Sequence, residues 1–173
     1  VHPLGPVDSA GSGFVHPFSG LDHLLTMIAV GLWAASLGGR AIWAVPSAFV
    51  ALMAVGAAFG MAGFTLPAIE AGIAVSVIVV GLLVAVAARV PVAIAALIVG
   101  VFAIFHGQAH GAEMPAMAAP AQYALGFIAA TALLHGVGLA GGLTGEGRLS
   151  RLVPRVAGAA VAVIGVASAV SLF

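Results

Sequence analysis

The sequence contains no cysteine and no lysine. The first absence excludes disulfides, thiolate metal sites and cysteine nucleophiles. The second excludes a retinal-type Schiff base and a Walker-A phosphate loop, both of which depend on a lysine amine. Charge of either sign is scarce: five basic and five acidic residues in 173 leave a net charge of zero. No basic patch can then displace counterions from phosphates, so no nucleic-acid partner is expected.

What the chain has instead is apolar length. Hydrophobic residues make up 63%, with 24 glycines and a mean hydropathy of +1.27, too little polar surface to cover a soluble globule of this size. The runs are roughly 20 residues long, the length a helix needs to cross about 30 Å of hydrocarbon, whereas barrel strands alternate over about 10 residues. This predicts an all-α integral membrane protein: a single bundle of six transmembrane helices at about 19–38, 41–64, 68–88, 91–111, 120–142 and 150–172. Gly38-Gly39-Arg40, Pro67, Arg89-Val90-Pro91, Pro120 and the polar run from Thr144 to Ser150 punctuate them. No segment repeats another. Residues 1–18 form a polar N-terminal segment and 19–173 the membrane domain; because the chain starts at Val1, a removed signal peptide or tag is expected.

Charge placement predicts orientation. Arg40, Arg89, Arg148, Arg151 and Arg155 all fall on one side of this topology, which the positive-inside rule makes cytoplasmic. Asp8, Glu70, Glu113 and both termini fall on the other, extracytoplasmic side. Only Glu146 shares the arginine side, as a surface partner for Arg148 or Arg151 of little energetic weight.

The histidines are then sorted. His2, His16 and His23 gather at the outer end of segment one, and His106 and His110 at the outer end of segment four. Intramembrane ionisable groups are costly, so His16-Pro17-Phe18-Ser19-Gly20-Leu21-Asp22-His23 at the mouth of an apolar run calls for an explanation. Pro17 suits a helix start, and Ser19 with Asp22 resembles a capping box, which would make Asp22 a helix-capping carboxylate. That leaves His16 and His23 unexplained; imidazole and carboxylate are the usual ligands of divalent nickel, cobalt or zinc. In Phe105-His106-Gly107-Gln108-Ala109-His110-Gly111-Ala112-Glu113, spacings of four and three place His106, His110 and Glu113 on one helical face, if the helix persists through the two glycines. Unwinding there, or interfacial histidines bonded to headgroups, is the alternative.

Other candidates are weaker. Glu70 is a first-turn acid with either a dipole-complementing or a site role. Ser76, two turns deeper, offers a hydroxyl to an ion or bonds back to its own helix. His135 lies about 15 residues, or roughly 22 Å, into segment five and reads as a transit ligand, a proton acceptor or a satisfied buried imidazole. Gly136-Val137-Gly138-Leu139-Ala140-Gly141 fits a dinucleotide fingerprint by spacing but lacks its strand context, so it reads as helix packing, as do Gly56 and Gly60. Met27, Met61, Met114 and Met117 read as packing, with monovalent copper as the competing use. Trp33 and Trp43 flank Arg40 as interfacial anchors.

Together the His16–His23 block, Pro67-Ala68-Ile69-Glu70-Ala71-Gly72-Ile73 and the FHGxAHGxE stretch from Phe105 to Glu113 resemble the HupE/UreJ family over nearly the whole chain. The resemblance implies a small bacterial inner-membrane permease for nickel, or next cobalt, linked to hydrogenase or urease maturation. It implies metal-binding roles for His16, Asp22, His23, His106, His110 and Glu113, with weaker support for Glu70, His135 and the uncertainly placed His2. The ion is substrate rather than prosthetic group, and zinc and copper remain as rivals. Two other classes stay open: an intramembrane zinc-dependent hydrolase, and a non-transporting metal sensor or assembly factor.

Overall fold

Helices form wherever the sequence is apolar and stop where glycine or proline interrupts it. A computed structural model describes residues 8–144 and 147–172, with the side chains of residues 148 and 149 left aside. Its elements are α1 (Ser9–Ser19), α2 (Leu21–Leu37), α3 (Ala41–Met61), α4 (Ile69–Ala85), α5 (Val92–Ala112), α6 (Pro120–Leu143) and α7 (Arg148–Val170), with no strand among the described residues. Gly38 and Gly39 turn the chain between α2 and α3 at φ of 71° and 52°, the left-handed region where a Cβ is strained. Pro120 opens α6 at a position where its missing N–H costs nothing.

The protein is a multi-pass membrane protein by the length and composition of these helices. Four stretches are long and apolar enough to cross a bilayer: Ala41–Met61, Val92–Ala112, Pro120–Leu143 and Ser150–Val170. α1 and α2 pass the same test only as a pair, bent by 85° at Gly20, and α4 is a shorter apolar helix of 17 residues. Each of the six apolar stretches expected from sequence overlaps one of α2 to α7: α2, α3 and α4 lie inside theirs, while α5 and α6 run on to Ala112 and Leu143 and α7 begins at Arg148, ahead of the expected start at 150.

The N-terminal part departs from expectation. Residues placed ahead of the first membrane helix form α1, which packs along α6. Asp8 caps it, its Oδ1 accepting from Gly11 N at 2.8 Å, and Ser9 Oγ accepts from Ala119 N at 2.8 Å. Pro17 therefore lies inside α1 and does not start the next helix. The capping box expected of Ser19 and Asp22 is not formed. Gly20 is the N-cap of α2 without a side-chain bond, and Ser19 Oγ instead donates to His16 O at 2.6 Å. Trp33 is likewise no interfacial anchor: it is fully buried and its Nε1 donates to Ala88 O at 3.0 Å. Trp43 does sit exposed, with the Arg40 guanidinium 5.9 Å from its ring.

Close packing of α3 on α5 is built from glycine. A Cβ at Gly107 would strike Met53 O and one at Gly111 would strike Ala57 O, while Gly56 and Gly60 meet Ile104 O and Gln108 O in return. In hydrocarbon the drive for helix association is dispersion and local polar contact, so small residues that let backbones touch matter most. Gly31 and Gly138 do the same between α2 and α6, but Gly136 has nothing within 4 Å, so only part of the six-residue glycine pattern packs.

Candidate metal-binding site

The glycine contact decides where the histidines go. Because Gly107 and Gly111 press one face of α5 onto α3, His106 and His110, a turn apart, are held in the interior and are fully buried. α5 stays helical through both glycines to Ala112, so the unwound alternative does not occur.

Three other elements bring their polar groups to the same place. The break at Gly20 turns α2 so that the His23 ring lies 4.7 Å from the rings of both His106 and His110. α1 delivers His16, whose ring is 4.9 Å from that of His110 and whose Nε2 is 2.8 Å from Glu113 Oε2. From α4, Ser76 Oγ lies 2.8 Å from His106 Nε2 and donates to Ile73 O at 2.6 Å. Thr26 Oγ1 completes the line at 3.5 Å from Ser76 Oγ. The order runs from a half-exposed Glu113 at the rim to a fully buried serine: Glu113, His16, His110, His23, His106, Ser76.

The serine fixes the chemistry of the innermost ring. A hydroxyl carries one hydrogen, and that of Ser76 goes to Ile73 O, so His106 Nε2 must donate to Ser76 Oγ. The proton is thereby placed on Nε2, and Nδ1 is left with a free lone pair. Nδ1 is buried and has no hydrogen-bond partner; neither have His23 Nε2 or both ring nitrogens of His110. Leaving a buried polar group unpaired costs about 1–3 kcal/mol, so four such nitrogens in one place are unfavourable unless something engages them.

Ring spacing favours a shared cation. Two imidazoles bound to one metal at about 2.0–2.1 Å place their centroids about 4.5 Å apart for a right-angled pair and about 5.2 Å for a tetrahedral one. The observed 4.7, 4.7 and 4.9 Å fall within that interval. The directions are not yet those of a ligated site: among the described residues no three His, Asp or Glu side chains stand in metal-holding geometry. Ligation requires these edge-on rings to rotate.

The remaining expected residues divide. Asp22 is half-buried in the first turn of α2, one residue before His23, and Glu113 reaches the cluster through His16. Glu70 is exposed at the start of α4 and is not joined to the histidines by any hydrogen bond or ion pair among the described contacts. His135 is buried on α6 with both ring nitrogens unpartnered. It is separated from the cluster by Phe49, whose ring is 5.8 Å from that of His106 and 5.0 Å from that of His135. His2 and Glu146 lie outside the described residues.

Three participants escaped the sequence reading. Phe49 is fully buried between two histidines. Tyr123 is fully buried with its hydroxyl unpartnered and its ring 6.0 Å from that of His16. Gln108 ties the connection between α3 and α4 to the site, its Nε2 donating to Phe64 O and its Oε1 accepting from Leu66 N at 3.1 Å. A glutamine inside an apolar helix was a visible signal for the last; nothing in the sequence pattern marks the first two.

Met27 and Met53 are fully buried, with the Thr131 hydroxyl 3.4 and 3.5 Å from their sulfurs. Of the methionines expected to pack, Met27 lies in the core and Met61 and Met114 border it, but Met117 is 75% exposed and does not pack.

The family described as HupE / UreJ protein matches residues 2–168 of the chain. A curated relative from Rhizobium leguminosarum bv. viciae, Protein HupE, is 49% identical over 160 residues, covering 92% of this chain and 84% of the relative. No solved structure matches.

Proposed function

We start from the fact that the chain belongs to the HupE/UreJ family and propose that it is a permease for a divalent transition-metal ion, nickel first and cobalt next. The observation that carries this reading is the meeting of His16, His23, His106 and His110 from three helices, with four unpartnered buried nitrogens. Glu113 and Asp22 supply the negative charge that draws a cation to this end, and imidazole nitrogens replace its water. Ligands of this kind, few and rotatable, release cargo more readily than a preformed cage.

In this reading α2 to α7 are the six membrane spans. α4, at 17 residues, meets the lower limit of about 17 for a spanning helix. Arg40, Arg89, Arg151 and Arg155 all lie at the ends of the helices remote from the cluster of His16, His23, His106 and His110, which supports a cytoplasmic arginine side, a periplasmic metal mouth and extracytoplasmic termini in the bacterial inner membrane. The ion passes from His106 to His135 once the Phe49 ring turns aside. It supplies metalloenzyme maturation, the hydrogenase or urease link implied by the family. A carrier fits better than a hydrolase because Phe49 and Phe127 pack directly on His106 and His110 and Ser76 is already engaged by His106, leaving few polar groups to hold a substrate.

Nickel uptake into proteoliposomes tests this. His23→Ala with His106→Ala is expected to reduce uptake to background while the protein stays folded, and unchanged uptake in the double variant would overturn the reading.

A further inference from the structure

The end of the molecule away from the four-histidine cluster contains a cavity of about 280 Å³ between α2, α4, α6 and α7, its Leu32 and Ser36 lining roughly 14–20 Å along α2 from His23 at 1.5 Å per residue. Three of the side chains lining it are arginines: Arg89, just after α4, and Arg151 and Arg155, one turn apart on α7. Leu32, Val84 and Pro154 supply apolar wall.

The frame is fixed. Arg155 Nε donates to Ala85 O at 2.9 Å and Trp33 Nε1 to Ala88 O at 3.0 Å, tying the chain before Arg89 from two sides. The first bond occupies only Nε, so both terminal amino groups of Arg155 remain for a ligand. The serines at the cavity are not donors to it: Ser36 Oγ donates to Trp33 O and Ser150 Oγ to Gly147 O. Among the described residues the ion pair is His16 with Glu113, at the other end; Glu146, the carboxylate expected beside Arg148 or Arg151, lies outside the described residues. Arg89, Arg151 and Arg155 are exposed where they line the cavity, so water screens their repulsion, and their shared positive charge favours an anion among them.

We propose that this cavity binds the phosphate of an anionic phospholipid, with Arg89, Arg151 and Arg155 as its clamp. Guanidinium forks match phosphate oxygens in pairs. Basic pockets between membrane helices suit lipid headgroups, and the apolar wall gives the glycerol and first acyl carbons a place that free phosphate would not use. The site stands independently of the metal reading.

The test uses the full chain, delipidated in a neutral detergent, with phosphatidylglycerol, phosphatidylcholine and inorganic phosphate as probes, read by native mass spectrometry and thermal unfolding. Phosphatidylglycerol is expected to bind and raise the Tm, and phosphatidylcholine to do neither. Each lost guanidinium weakens binding about tenfold, so Arg89→Gln with Arg151→Gln is expected to weaken it about a hundredfold, and Arg40→Gln, outside the cavity, not at all. If the double variant does not fold, Arg151→Gln alone gives the tenfold reading. Phosphate that competes at millimolar concentration would assign the same clamp to a soluble anion; phosphate that is inert assigns it to lipid. Equal binding of the two lipids, or binding untouched by the Arg89 and Arg151 variants, overturns the proposal.

Discussion

Replacing Ser76 by alanine tests how the innermost histidine is prepared. The substitution removes the 2.8 Å contact with His106 Nε2 and leaves a buried N–H unpaired, a cost of about 1–3 kcal/mol in folding stability. Its effect on metal binding has two parts of unequal size. Without the serine the proton is free to occupy either ring nitrogen; if both tautomers were equally populated, the competent fraction would halve and affinity would fall only about twofold. The larger part is orientation, since outer partners of a ligating histidine are commonly worth about 10–100-fold in affinity. Nickel titration calorimetry on the detergent-solubilised protein is therefore expected to show a loss nearer tenfold or more than twofold, with the cluster still able to bind. A loss of twofold or less would show that packing against Phe49 and His23 suffices to aim the ring. Wild-type affinity would refute the serine's role altogether.

Other outcomes follow from the same contacts. Gly107→Ala drives a methyl into Met53 O and is expected to destabilise by about 1–3 kcal/mol, whereas Gly136→Ala, with open space around it, is expected to leave the melting temperature unchanged or slightly raised. Gln108→Leu frees Phe64 O and Leu66 N from their partner, so the connection between α3 and α4 is expected to become the first site of limited proteolysis. Metal affinity is expected to fall as pH falls, because a proton and a metal compete for the same imidazole lone pair; the slope is at most tenfold per unit for each nitrogen that must lose a proton. Affinity that rises toward acid pH would exclude imidazole ligands.

Helix positions were legible because hydrophobic runs and their Gly and Pro boundaries are local signals, and each of α2 to α7 coincides with one of the apolar stretches, with three helix ends displaced. What was not legible depends on contacts between distant parts. Nothing local says that residues 9–19 pack along α6, since that rests on Gly13 meeting Tyr123 O and Gly126 meeting Ala10 O. Trp33 looked like an interfacial anchor by its nearness to Arg40, yet the bend after α4 gives its indole a carbonyl inside the protein. The site was half visible. Motif spacing put His106, His110 and Glu113 on one face. Their meeting with His16 and His23 needed the 85° bend at Gly20, and the role of Ser76 needed to show which acceptor takes its single hydrogen.

The most direct measurement is X-ray absorption at the nickel edge on protein loaded with one equivalent of metal. Imidazoles from separate helices sharing one cation predict several nitrogen ligands near 2.0–2.1 Å with the outer-shell scattering of histidine rings, diminished when His23 and His106 are replaced. A spectrum of water and carboxylate oxygens alone, unchanged by those replacements, would contradict the account.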